Sequence, residues 1–214
     1  MRQGVLALAR GSSRARADEA AISPGDFRSA EIAASLDGDR EQSAMSVRDT
    51  QRANVYDAEQ LVRGMFDRAD EYGNRTVELY GSHLTLPVER RFASVASVQT
   101  YAEKVLALNW VRAQWDRAEA PVRVRSRAGA TAAHYEAADA VLAVPLHTGG
   151  TAWALRELVV LHELAHHLEP APGEVAPHGP EFCTRYLELV DGVIGPEAAL
   201  VLRTTMLSCG VRIG

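Results

Sequence analysis

Residues His162-Glu163-Leu164-Ala165-His166 spell H-E-x-x-H inside an apolar, helix-compatible run. On an α-helix, residues four apart are rotated by only about 40° and rise by roughly one turn, so both imidazoles can reach one ion. Glu163 stands beside them, where its carboxylate can stay off the metal and take a proton from coordinated water. The chemistry this spacing points to is metal-assisted hydrolysis with Glu163 as general base.

Two imidazoles do not complete a catalytic zinc site, which ordinarily has three protein ligands and one open position. His178 is the preferred third ligand. It follows His167 by eleven residues, after a turn containing proline and glycine, and opens the string His178-Gly179-Pro180-Glu181-Phe182. Glycine at 179 is expected to leave room beside the ion. Glu174, Glu181 and Glu188 compete for the same place, since a carboxylate from a following helix is an equally sound ligand. His167 points about 100° away from its neighbour and is expected on the surface or behind the ligands. Tyr186 could donate to an oxyanion, but core packing is the simpler role, and Cys183 reads as a small buried residue. His147 reads as an exposed loop histidine and Trp153 as a core anchor for the metal helix.

The surrounding pattern supplies elements to hold these groups. Apolar residues Val55, Ala58, Leu61, Val62, Met65 and Phe66 recur at helical spacing, predicting a helix over about 49–70 that ends near Gly73. Residues 77–86, split by Gly81-Ser82 and closed by Pro87, read as a strand or hairpin. Ser94 can cap a helix running to about Trp115. Three short strands are then expected, at 122–125, 131–136 and 140–144, with turns at 127–129 and 137–139. Thr151 is the expected N-cap of the metal-bearing helix, which reaches Leu168 before Pro170 and Pro172 stop it. Two further helices are predicted at about 180–190 and from Gly195-Pro196 through Leu207.

H-E-L-A-H followed by a separated H-G-x-x-F resembles the compact zincin pattern of SprT-like metallopeptidases. From about Met45 onward the chain is also similar to a group of small actinobacterial H-E-x-x-H metallohydrolases. By position, the resemblance implies Zn2+ bound by His162, His166 and His178, with Glu163 as base. It also implies that the strand ending near Val144 is an edge strand beside the cleft, able to accept an extended peptide. The cysteine-rich ribbon and basic tail of many DNA-associated relatives are missing. The metzincin spacing is absent too, because the sixth residue after His166 is Pro172.

The 214 residues carry a formal net charge of -5 and scattered arginines with almost no lysine, which disfavours a nucleic-acid surface. Two cysteines, Cys183 and Cys209, make no disulfide scaffold and fit a reducing interior. Arg10 and Arg14 interrupt the short apolar run near Met1, against a signal peptide, and no run approaches the length of a membrane span. A soluble cytoplasmic protein is expected. Residues 1–44 lack apolar periodicity and read as a disordered tail before a domain at 45–214, with Met45 as an alternative start. The expected fold is α+β and zincin-like, a small mostly antiparallel sheet against the H-E-x-x-H helix and further helices. The expected function is a zinc metallopeptidase acting on peptide or protein. Its rivals are a zinc-stabilised interaction module with a closed site, and a peptidase inhibited by its own tail.

Overall fold

The computed structural model describes residues 47–127, 132–145 and 155–214. Helix α1, Arg52–Tyr72, buries Val55, Ala58, Glu59, Val62, Phe66 and Ala69 along one stripe. It ends where Gly73 takes the left-handed conformation, φ 63°, that releases the chain from a helix. A hairpin follows: β1, Thr76–Leu79, pairs antiparallel with β2, Ser82–Thr85. Its two-residue turn, Tyr80-Gly81, has positive φ at both positions, matching the right-handed twist of the strands.

Helix α2, Val95–Leu106, opens with the expected Ser94 cap, which accepts from the Ser97 N–H while the Ser97 side chain accepts from the Ser94 N–H. The single helix expected to reach Trp115 is instead broken. Leu108 is extended, and a short α3, Asn109–Gln114, starts after it. The break seats Trp110 against Gly192, where even a Cβ would lie 2.5 Å from the indole.

The main sheet has three strands: β3, Arg123–Arg127; β4, His134–Glu136; and β5, Val141–Pro145. Their order is β3-β5-β4, with β3 parallel and β4 antiparallel to β5. The strand ending near Val144 is therefore central, not the expected edge. Every residue of β5 is buried, as the uninterrupted run Val-Leu-Ala-Val-Pro requires of a strand covered on both faces. The edge is β4. The turn into β5 closes at Ala140 with φ 50°, one residue beyond the predicted 137–139. The turn predicted at 127–129 falls partly outside the described residues.

Helix α4, Glu157–His167, carries the motif and is buried on nearly every side. It begins at Glu157; the predicted cap Thr151, like His147 and Trp153, lies outside the described residues. Residues just before it are held in extended form. The Phe92 N–H donates to Leu155 O at 2.8 Å and the Glu157 N–H to Arg90 O at 2.9 Å. Glu89 reaches across to accept from the Leu158 N–H at 3.2 Å and, with Asp67, surrounds the buried Arg156 guanidinium. Helix α5, Pro180–Val193, and helix α6, Pro196–Ser208, both start with proline at a position whose N–H would have no helical partner. Helix α5 packs on α4, and α6 on α1 and α5. The architecture is α+β, and no helix among the described residues is long and apolar enough to cross a membrane.

Candidate metal centre

Helix α4 sets His162 and His166 one turn apart with their Nε2 atoms 3.2 Å from each other. The loop after α4 turns back so that His178, just before α5, brings its Nε2 to 3.3 Å from that of His162. The three ligand-type nitrogens lie within 4.8 Å of one another. Two zinc–nitrogen bonds of about 2.0–2.1 Å at a tetrahedral angle put the nitrogens roughly 3.3 Å apart. The His162–His166 and His162–His178 separations agree with that spacing.

The far side of each ring decides what these nitrogens can do. His162 Nδ1 lies 2.5 Å from Glu59 Oε1, and His178 Nδ1 lies 2.6 Å from Asp49 Oδ2. Carboxylates only accept, so Nδ1 carries the proton in both rings and each Nε2 presents a lone pair. Lone pairs this close cannot satisfy one another. A cation, or a proton standing in for it, is what the donor set fits. The rings are fixed from outside by Phe182, stacked on His166 at 4.4 Å between centroids, and by Tyr56, stacked on His162 at 5.6 Å.

Electrostatics follow from burial. Burial opposes a charged His162, but the charge and hydrogen bond of Glu59 outweigh it and hold the pKa above the ordinary imidazole value. Burial, joined by the charges of His162 and His178, pushes His166 well below that value. Burial and the charge of His162 also lower His178, against the pull of Asp49. Glu163 is 4% exposed, and burial, aided by the Glu59 charge, raises its carboxyl to about 7. The His162 charge and a backbone hydrogen bond from Tyr135 oppose this rise. A carboxyl near neutrality is poised both to accept and to return a proton.

Glu163, His166 and His178 line a cavity of about 470 Å³ together with Asp49, Arg52 and Tyr56, with His134 and Tyr135 of β4, and with Ala137 just after it. Thus β4, rather than β5, borders the cleft.

The remaining sequence-derived candidates sort cleanly. Among the described residues the cluster of metal-type ligand atoms comprises the three histidines, without Glu174, Glu181 or Glu188. Glu188 instead accepts from Gln114 Nε2 at 2.8 Å. Gly179 does not make room for an ion, since its Cβ would meet Ala176 O and Glu181 Oε2 at 3.0 Å. It permits the tight turn that delivers His178. His167 is buried, not on the surface. Its Nε2 donates to Ala120 O at 3.1 Å, and its Nδ1 accepts from the Tyr135 hydroxyl at 2.9 Å, tying β4 to α4. Tyr186 is buried with its hydroxyl donated to Leu158 O at 3.1 Å, a core role. Cys183 is buried, and its thiol is pushed up to about 12 by that burial.

Sequence reasoning passed over Glu59, Asp49 and Tyr56. Glu59 left a signal: it occupies an apolar position in the stripe Val55, Ala58, Val62, Phe66, where an unpaired carboxylate would be costly. Asp49 and Tyr56 left none. No protein-family model, curated protein or solved structure matches the chain.

Proposed function

We propose that the protein is a zinc-dependent metallohydrolase, most simply a peptidase of the compact zincin, SprT-like kind. The observation that carries this reading is the convergence of three Nε2 atoms, with two of their separations at tetrahedral zinc spacing and the rings of His162 and His178 oriented by Glu59 and Asp49. A bound zinc ion would supply an acidified water and polarise a carbonyl oxygen. Glu163 accepts the water proton as the new C–O bond forms, then delivers it to the amine as the C–N bond breaks.

Strand β4 is an edge strand among the described residues and shares the cavity lining with Glu163, which supports an extended peptide as substrate, paired by main-chain hydrogen bonds. The cavity at the triad favours this catalytic reading over a structural zinc site, whose four positions are filled by protein. Free Cys183 and Cys209 are in keeping with work in the cytoplasm. The test is elemental analysis paired with hydrolysis of an unstructured protein such as casein. Glu163→Gln should keep one zinc per chain and lose hydrolysis by at least about a hundredfold. Full activity in that variant would disprove the mechanism.

A further inference from the structure

Hydrolysis at this site needs a hydrogen-bond donor for the carbonyl oxygen as negative charge grows on it. The cavity walls offer few. Asp49, Glu163 and Glu169 are carboxylates, which accept rather than donate when ionised. The Tyr135 hydroxyl is already given to His167 at 2.9 Å. Arg52, Tyr56 and His134 remain as side-chain donors among the described lining residues. Arg52 and His134 are exposed, whereas Tyr56 is half-buried.

Tyr56 alone of these three is in ring contact with two of the three histidines, 5.6 Å from His162 and 5.3 Å from His178 between centroids. Helix geometry explains its position. Glu59 lies three residues further along α1, close to the same face, and reaches the Nδ1 side of His162 while the Tyr56 ring covers that imidazole. The Arg52 guanidinium, one turn earlier, sits 5.5 Å from the phenol ring. One helix face therefore orients a ligand and sets a phenol over it.

We infer that Tyr56 is a catalytic residue, its hydroxyl donating to the substrate carbonyl oxygen from the cavity wall beside His162 and His178. This rests on the metallohydrolase reading and names a donor which that reading leaves open.

Acetohydroxamate tests the assignment without a known substrate, because its carbonyl oxygen stands in for the substrate oxygen on which charge develops. Binding to zinc-loaded full-length protein is measured by calorimetry, with zinc stoichiometry determined in parallel. Tyr56→Phe keeps the ring against His162 and should retain one zinc per chain while weakening acetohydroxamate about tenfold, the scale of one lost hydrogen bond. His134→Ala should change it less than twofold. Unaltered affinity in Tyr56→Phe, or a tenfold loss in His134→Ala instead, overturns the assignment of Tyr56 while leaving the zinc site standing. Failure of the wild type to take up zinc, or of its zinc form to bind acetohydroxamate, overturns the metallohydrolase reading and this inference with it.

Discussion

At the scale of single residues, Glu59 and Asp49 orient two buried histidines whose Nε2 atoms could hold a metal ion. Each carboxylate settles the tautomer of its imidazole and raises the basicity of the nitrogen that faces inward. Replacing Glu59 with Gln should therefore weaken zinc roughly 10- to 100-fold with all three histidines intact. Competition against a chromophoric chelator measures this, and wild-type affinity would show that the contact does not orient His162. Glu163 has a separate signature in metal-free protein. Its folded pKa of about 7 lies above the value for an exposed carboxyl, so the folded state holds more protons than the unfolded one between about pH 4.5 and 7. Stability from this group thus falls as pH rises through that window. His166, held well below the usual imidazole value, acts in the opposite sense and loses stability on acidification. Metal-free Glu163→Gln should match wild type near pH 4.5 and exceed it by on the order of 3 kcal/mol above pH 7. Urea denaturation in the presence of a chelator, repeated across pH, reads the difference; parallel curves would contradict a buried Glu163.

At the scale of elements, the segment entering α1 acts as a clamp on the third histidine. Gln51 is buried; its side-chain amide donates to His178 O at 2.8 Å and Arg212 O at 3.0 Å, and accepts from the Arg212 N–H at 3.1 Å. Two residues earlier, Asp49 holds the same histidine by its ring. The C-terminal residues complete the arrangement, with the Gly214 N–H donating to Pro180 O at 3.2 Å. Gln51→Ala should lower zinc affinity although no ligand is touched, and chain ending at Gly210 should do the same. Unchanged affinity in both would mean that the loop carrying His178 is rigid by itself. Legibility varied among elements for identifiable reasons. The hairpin, the Ser94 cap and the starts of α5 and α6 follow from local backbone chemistry at glycine, serine and proline. The break at Leu108 depends on a partner, Gly192 on α5, that no local pattern around Trp110 reveals.

At the scale of the molecule, the triad joins α4 to the entry of α5, and α1 backs it through Glu59 and Asp49 just before α1. Metal binding should consequently be linked to global stability. At free zinc 100 to 1,000 times its dissociation constant, linkage supplies about 2.7–4.1 kcal/mol, so chelation should lower the melting temperature by roughly 5–15 °C. A melt unchanged by chelator would uncouple the triad from the fold. Protein beginning at Met45 should keep its zinc and its melting temperature, as expected if the site is assembled wholly within the described part of the chain. Loss of zinc on that truncation would refute it.

The H-E-x-x-H spacing determined by itself that two imidazoles share one helix face, because α-helical geometry leaves no other outcome for positions four apart. It also placed Glu163 beside them. What only the tertiary structure decided is which distant groups meet that face: His178 rather than a nearby carboxylate, Glu59 and Asp49 behind the rings, and β4 instead of β5 at the cleft. Those choices depend on strand order and helix packing across long separations in the chain, where burial of apolar surface sets the arrangement and local residue preference has no say.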